Sequence, residues 1–227
     1  MTTETKKNVS QARKRVAVLI SGHGSNMQSI VHASGADEEA GYDVVKVISN
    51  RPDAAGLAWA KDKGLATAVV DHKAYPSRGE FEDALHEKLM DSNIELIACA
   101  GFMRVMTDGF VNKWHDRMLN IHPSLLPLFK GVNTHARAIE AGVRITGCSV
   151  HIVRPELDAG PILGQAAIAV GAGDTPDTLA DKVIKAEHIL YPEILKLFAT
   201  GKIRVVDEKI AFSSVVNQQG ILFSPSI

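Results

Sequence analysis

The sequence predicts an α/β fold: a Rossmann-like, open, mostly parallel twisted sheet with helices on both faces. Short apolar runs alternate with stretches of helical periodicity, which is typical of parallel strands joined by crossover helices. The run ELIACAG is apolar almost throughout, as expected of a central strand covered on both faces. The composition, 45% apolar over 227 residues, is that of an ordinary globular chain with a substantial core.

Four strands and three helices are predicted in the first half of the chain. The strands are RVAVLIS (15–21), DVVKVISN (43–50), ATAVV (66–70) and ELIACAG (95–101). The helices between them are expected at residues 25–33, 54–64 and 77–92. In the third helix Phe81, Leu85 and Leu89 share one stripe, which is the spacing of an amphipathic helix.

The second half of the chain continues this alternation. Helices are predicted at residues 108–115, 134–142 and 175–201. Strands are predicted at MLNIHPS (118–124), ITGCSVHIV (145–153) and PILGQAAIAV (161–170). Thr175 is expected to cap the long final helix, and KIRVVDEKIAF (202–212) is expected to form a hairpin or an edge strand.

We expect a single domain at residues 15–227 behind a flexible N-terminal tail at residues 1–14. The tail lacks the apolar segment of a secretory signal, and no apolar run approaches the ~20 residues that cross a bilayer. A net charge of −1 disfavours a nucleic-acid partner. Cys99 and Cys148 form no C-x-x-C pair, which predicts a reduced, cytoplasmic setting.

The turn SGHGSN (21–26) follows the first strand and opens the first helix. Backbone N–H groups at the start of a helix attract anions, so the turn is a candidate phosphate site. It is neither a dinucleotide fingerprint nor a Walker motif, because Met27 replaces the third glycine and no G-K-[ST] follows. The alternative is a structural tight turn capped by Ser25.

Ligands of open α/β sheets bind beyond the carboxyl ends of the strands. Four predicted strand ends carry polar or glycine-rich stretches, which we expect to meet at one cleft. These stretches are SGHGSN, SNRPDAAG, AGFMR and NIHPS.

Asn120 and His122 are two residues apart in a strand that Pro123 terminates, so both side chains should leave the same face. An amide and a protonated imidazole can both donate to a carbonyl oxygen that becomes an oxyanion. Asp158, in the loop RPELDAG, would pair with His122 and favour its protonated form. The alternatives are a structural histidine and a solvated turn aspartate.

The other reactive residue types favour transfer without a covalent enzyme intermediate. Both cysteines lie in apolar runs, and the G-x-S-x-G pattern of an activated serine is absent from the sequence. The histidines lack metal-ligand spacing, so we expect no metal ion.

Several segments together resemble the phosphoribosylglycinamide formyltransferases, which are folate-dependent enzymes of purine biosynthesis. They are ISGHGSNMQSI, AGFMRVM, LNIHPSLLP, THARAIEAG, TGCSVHIV, ELDAGPI and AEHILYP. Their order and spacing agree from Val16 to Lys202. The resemblance implies the formyltransferase fold and small-molecule substrates, with a homodimer as a candidate assembly. It also implies that the amine of glycinamide ribonucleotide directly attacks the formyl carbon of 10-formyltetrahydrofolate.

The resemblance further implies roles for individual residues. The catalytic positions are Asn120, His122 and Asp158, with the first two on the oxyanion and the aspartate holding the imidazolium. The ribonucleotide would be bound by Gly24, Ser25, Asn26 and Glu187. The folate would be bound by Arg78, Met103, Arg104, Val105, Met106, Asn120, Arg154, Glu156, Leu157 and Asp158.

The chain also departs from the family pattern. His23 replaces a common asparagine, and Phe129-Lys130-Gly131 replaces a common Tyr-Pro-Gly; Asn133 and Ala136 are further departures. We expect none of them to touch the three catalytic positions.

Three other functions are considered. A methionyl-tRNA formyltransferase resembles this chain but carries a basic C-terminal domain, whereas only about 25 residues follow the long helix here. A formyltetrahydrofolate hydrolase carries an N-terminal regulatory domain, for which residues 1–14 leave no room. A non-catalytic nucleotide-binding module would explain the SGHGSN turn but not the presence of Asn120, His122 and Asp158 together.

Overall fold

The first strand lies near the middle of the main sheet. The computed structural model describes residues 12–213. Its strands are β1 (Lys14–Ile20), β2 (Tyr42–Ser49), β3 (Ala66–Val69), β4 (Leu96–Cys99), β5 (Met118–His122), β6 (Ile145–Ile152) and β7 (Ile162–Ala169). Their order is β3-β2-β1-β4-β5-β6-β7. Strands β1 to β5 are parallel, and β6 pairs antiparallel with both β5 and β7, so the predicted mostly parallel sheet is confirmed.

Six α-helices and one hairpin complete the described part of the chain. The helices are α1 (Ser25–Ala36), α2 (Ala55–Asp62), α3 (Arg78–Met90), α4 (Asp108–Lys113), α5 (Thr134–Glu140) and α6 (Pro176–Ala199). The hairpin consists of β8 (Ile203–Val206) and β9 (Lys209–Phe212). Each of these elements is predicted by the sequence, whereas the short 3₁₀ turn at His72–Ala74 is not. Thr175 caps α6 as expected and forms a capping box with Thr178.

Apolar side chains cover both faces of the sheet. In β1, Val16 and Val18 point to one face and Ala17 and Leu19 to the other. The first face packs against α1, α2 and α6, and the second against α3 and α4. The central strands are therefore buried on both sides, which explains their continuous apolar sequence.

The N-terminal end of β1 is tied to its surroundings by Arg13. The guanidinium donates from Nε to Asp43 Oδ1 at 2.8 Å and from Nη2 to the Tyr42 carbonyl oxygen at 2.6 Å. Arg13 and Lys14, within the predicted tail, thus belong to the folded part. The remainder of that tail, residues 1–11, lies outside the described residues, as do residues 214–227.

The chain leaves β1 towards β2 and β3 on one side, and returns to β4 on the other. The direction of the connections thus reverses beside β1, which in open α/β sheets is where a ligand crevice forms. Within residues 12–213, none of the helices has the length and apolar character that a membrane span requires.

Candidate active site

A cleft of about 1410 Å³ lies at the carboxyl ends of the parallel strands. Its walls include residues 21–26, 50–51, 100–106 and 120–123, so the four predicted stretches do meet at one site. Thirteen of the predicted site residues line this cleft: Gly24, Ser25, Asn26, Met103, Arg104, Val105, Met106, Asn120, His122, Arg154, Leu157, Asp158 and Glu187.

Two predicted folate-binding residues do not line the cleft. Arg78 is the first residue of α3 and is exposed. Glu156 points to the surface, where its Oε1 accepts from Lys130 Nζ at 3.0 Å.

Asn120 is held by a histidine on the neighbouring strand. In the antiparallel pairing of β5 with β6, Asn120 lies opposite His151, and its Nδ2 is 3.2 Å from His151 Nε2. Burial lowers the pKa of His151, against the opposing effects of the Ile152 carbonyl and the Asp158 charge. The neutral ring then donates from Nδ1 to the Ile152 carbonyl at 3.0 Å and accepts from Asn120. One Asn120 N–H is thereby fixed, and the second remains for a substrate oxygen.

His122 lies between two hydrogen-bond acceptors. Its Nδ1 is 3.4 Å from Asp158 Oδ2, and its Nε2 is 3.0 Å from the Phe129 carbonyl oxygen. The His122 and Asp158 side chains are 6% and 8% exposed. Because an acceptor faces each ring nitrogen, the doubly protonated imidazolium is the form that satisfies both contacts. To donate to a substrate, the Nε2–H must exchange the Phe129 carbonyl for the substrate oxygen.

Asp158 is enclosed rather than solvated, so the solvated-turn alternative is wrong. Its Oδ2 accepts from the Gly131 backbone N–H at 2.8 Å, and its Oδ1 is 3.7 Å from His151 Nε2. The loop is brought close to β6 by Gly160, where an added Cβ would lie 1.8 Å from the Ile152 carbonyl oxygen. One carboxylate therefore lies beside both His122 and His151.

The loop in which the chain departs from the family pattern contacts His122 and Asp158, two of the predicted catalytic positions, so the expectation of no contact is wrong. Phe129 provides the carbonyl oxygen that faces His122, and Gly131 provides the N–H that binds Asp158. Both contacts are made by the backbone, which is why side-chain identities did not reveal them. The loop is further held by Arg137, whose Nη1 donates to the Lys130 carbonyl at 2.6 Å.

The SGHGSN turn presents the start of α1 to the cleft. Gly24 is the N-cap, with a left-handed φ of 73°, and Ser25 is the first residue of the helix. The alternative in which Ser25 caps the helix is therefore wrong. With no capping side chain at Gly24, the N–H groups of the first turn are available to an anion.

A buried carboxylate lines the cleft beside this turn. Asn26 Nδ2 donates to Glu187 Oε2 at 2.7 Å. Burial raises the pKa of Glu187, against the opposing effect of the bond from Asn26. Asn26 Oδ1 is buried and has no hydrogen-bond partner among the described residues. Together these atoms form a polar pocket that fits the hydroxyl groups of a sugar.

The cleft also has an apolar rim. Met103, Val105 and Leu157 line it and are 72%, 54% and 50% exposed. The segment that carries the first two is fixed at its start by Ser21, whose Oγ accepts from the Met103 N–H at 2.8 Å. Such a rim fits a flat, largely apolar ring system.

Arg154 lines the cleft but its guanidinium is bound elsewhere. It contacts Asp116 Oδ1 at 2.5 Å and Glu208 Oε2 at 2.9 Å, and so ties the loop after β6 to the β8–β9 hairpin. Within residues 12–213, His115, Asp116 and Glu208 form the one group with metal-ligand proximity. Arg154 already forms ion pairs with two of its members, which makes this a surface ion-pair cluster.

Several known proteins are similar to this chain. Residues 14–195 match the family described as formyl transferase. Phosphoribosylglycinamide formyltransferase of Escherichia coli (strain K12) is 40% identical over 190 residues, which are 84% of this chain and 89% of that protein. A solved phosphoribosylglycinamide formyltransferase from Coxiella burnetii is 42% identical, with a TM-score of 0.84 over 88% of this chain and 93% of its own.

Longer proteins contain a similar region. The trifunctional purine biosynthetic protein adenosine-3 of Homo sapiens is 45% identical over 193 residues, which are 85% of this chain. The chain spans only 19% of the length of that protein.

Proposed function

The chain belongs to the formyl transferase family, and we propose that it moves the formyl group of 10-formyltetrahydrofolate to the glycine amine of 5′-phosphoribosylglycinamide. The products are the N-formyl ribonucleotide and tetrahydrofolate, in the de novo biosynthesis of purine nucleotides (IMP). The observation that carries this proposal is that Asn120, His122 and Asp158 share one cleft with the open helix start at Gly24.

The chemistry begins with attack of the substrate amine on the formyl carbon. A C–N bond forms, and the carbonyl oxygen becomes an oxyanion that accepts from the free Asn120 N–H and from His122 Nε2–H. Collapse of this intermediate breaks the bond to N10 of the folate, and His122 supplies the proton that the leaving nitrogen takes up. The proton lost by the amine restores the imidazolium, with Asp158 stabilising its charge.

Two parts of the cleft, the polar pocket at the SGHGSN turn and the apolar rim, suit the two substrates. The phosphate would bind at Gly24, Ser25 and Asn26, and Glu187 would accept from a ribose hydroxyl. The folate rings would lie along residues 103–106 and 154–158, whose apolar side chains form the rim described above. This arrangement brings the amine and the formyl group together at Asn120.

We propose direct transfer, without a formyl-enzyme intermediate. Burial raises the pKa of both Cys99 and Cys148 to about 12, so neither thiol provides a thiolate at neutral pH. Mass spectrometry of enzyme quenched during turnover should find no adduct about 28 mass units heavier, which is the mass added when a formyl group replaces a hydrogen. A trapped adduct would contradict direct transfer.

The remaining aspects of this function are also proposals. The proposed reaction uses 10-formyltetrahydrofolate as its co-substrate and no metal ion. We place the protein in the cytoplasm, with small molecules and neither nucleic acid nor membrane as partners. A homodimer stays a prediction that sedimentation velocity can check.

The direct test is the formation of tetrahydrofolate from 10-formyltetrahydrofolate, followed by absorbance with and without glycinamide ribonucleotide. We expect product only when the ribonucleotide is present. Product formed equally well without it would identify a hydrolase, and no product in either case would contradict the proposal.

The phosphate site has a separate test in the same assay. Asn26→Asp should raise KM for the ribonucleotide and leave KM for the folate little changed, because it adds negative charge beside the phosphate. The substitution also removes the donor to Glu187 and places two carboxylates side by side. The double variant Asn26→Asp, Glu187→Gln removes the repulsion between these carboxylates and keeps the new charge beside the phosphate. An unchanged KM for the ribonucleotide in Asn26→Asp would make the turn purely structural.

A further inference from the structure

Tyr191 lies in the AEHILYP segment of α6 and has no part in the chemistry described above. Its side chain is completely buried in the apolar cluster on one face of the sheet. Its hydroxyl is 3.0 Å from the carbonyl oxygen of Leu119 and 3.2 Å from that of Cys99. One hydroxyl thus contacts two neighbouring strands, β5 and β4.

These two carbonyls lie where the strands enter the active site. Cys99 and Asn120 are the last residues paired between β4 and β5. The Leu119 carbonyl belongs to the peptide group that joins Leu119 to Asn120. The Cys99 carbonyl belongs to the peptide group that leads into the cleft segment at residues 100–106. A donor that contacts both oxygens fixes the two strand ends relative to each other.

The hydroxyl is suited to this as a permanent donor. Burial raises the pKa of Tyr191 well above its ordinary value, and the Cys99 carbonyl only partly opposes this effect. The group therefore keeps its proton throughout the pH range of enzyme activity, and the proton is shared between two acceptors. Tyr191 also lies one helical turn after Glu187 on α6, so a single helix carries both residues.

We propose that Tyr191 is a positioning residue, whose hydroxyl sets the Asn120 amide at the place where the oxyanion forms. The proposal rests on the proposed formyl transfer for its catalytic consequence. The structural part of the proposal is that the hydroxyl positions the Asn120 side chain. This part can be tested by a measurement that does not depend on enzyme activity.

The test compares Tyr191→Phe with Tyr42→Phe. Tyr42 is an equally buried tyrosine of the same apolar cluster, and its hydroxyl donates to the Ile30 carbonyl at 3.2 Å, away from the strand ends. Each substitution removes one buried hydroxyl and leaves the aromatic ring. Tyr191→Phe should lower kcat about tenfold, as expected of a misplaced catalytic group, with both KM values little changed. Tyr42→Phe should keep the kcat of the parent enzyme.

The second readout is the NMR signal of the Asn120 side-chain amide, assigned by its loss in Asn120→Ala. We expect this signal to shift in Tyr191→Phe and to stay in place in Tyr42→Phe. Should Tyr191→Phe fold poorly, 3-fluorotyrosine at position 191 should move the same signal, because it alters the donor strength of the hydroxyl.

An unmoved Asn120 signal would overturn the positioning role, as would equal effects of the two substitutions. If the parent enzyme transfers no formyl group, the proposed function fails, while the amide signal still decides whether Tyr191 positions Asn120.

Discussion

The side chains of the candidate site are defined by the acceptors and donors that surround them. His122 has an acceptor at each ring nitrogen, whereas His151 has a donor, Asn120, at one nitrogen and an acceptor at the other. Two histidines with similar burial therefore favour different protonation states. The contacts of His122 suit a ring that donates from both nitrogens, as the proposed general acid would, whereas the neutral His151 ring accepts from the Asn120 amide.

Asp158 should keep His122 protonated to higher pH. In Asp158→Asn the negative charge next to the imidazolium is lost, so the ring should release its proton at lower pH. The measurement is an NMR titration of the His122 ring signals in the parent and the variant. The two complete titration curves are compared, rather than single midpoints. Identical curves would contradict the pairing.

Glu187 should make stability depend on pH. Burial raises its pKa in the folded state above the unfolded value. Its contribution to stability is therefore largest below the ordinary pKa of glutamate, and it is lost as the pH rises through the raised value. Glu187→Gln, which keeps an acceptor for Asn26, should raise Tm by a few degrees at neutral pH and less at acidic pH.

The control for this prediction is Glu193→Gln, which removes an exposed carboxylate from the same helix. It should leave the dependence of Tm on pH unchanged. If Glu187→Gln and the parent have the same Tm at neutral pH, the buried Glu187 carboxylate does not destabilise the folded protein.

At the scale of elements, the site is built from strand ends and two loops. The loop after β5 supplies the Phe129 carbonyl and the Gly131 N–H, and the loop after β6 supplies Asp158. Neither loop is held by apolar packing alone; close backbone approach fixes the second one at Gly160. The geometry of His122 and Asp158 therefore also depends on the backbone at Phe129, Gly131 and Gly160.

Gly160→Ala should disturb the loop that carries Asp158. The new Cβ would lie 1.8 Å from the Ile152 carbonyl oxygen, so the backbone has to move. We expect a loss of stability of about 1–3 kcal/mol, as for other overpacked sites, and a lower kcat. Urea unfolding and steady-state kinetics measure the two effects.

Gly173→Ala is the matched control, because a Cβ at that position meets no atom within 4 Å. It should change neither stability nor kcat substantially. If Gly160→Ala behaves like this control, close approach at Gly160 does not hold the loop.

At the scale of the whole molecule, the sequence predicts the elements better than their pairing. Hydrophobic period distinguishes strands from helices, and every predicted element between residues 15 and 213 occurs in the structure. The apolar runs that predict β6 and β7 say nothing about strand direction, so their antiparallel pairing could not be read from the sequence. Strand order was equally hidden, since it is set by packing across the sheet.

In the candidate site, too, the sequence predicts individual residues better than the contacts between elements. The spacing of Asn120 and His122 predicts a shared face, and the structure places both in the cleft. The role of His151 depends on which strand pairs with β5, and the Phe129 contact depends on the backbone of a loop. Neither the hydrophobic pattern of the sequence nor the residue types predict these two contacts.

The central claim is that Asn120, His122 and Asp158 act as one unit on the formyl group. The most direct test is kcat for ribonucleotide-dependent formation of tetrahydrofolate in His122→Ala, Asp158→Asn and the double variant. His122→Ala should lower kcat by about 10²–10³-fold, and the double variant should lose no more, because Asp158 acts through His122. Losses that multiply in the double variant, or full activity in His122→Ala, would contradict the claim.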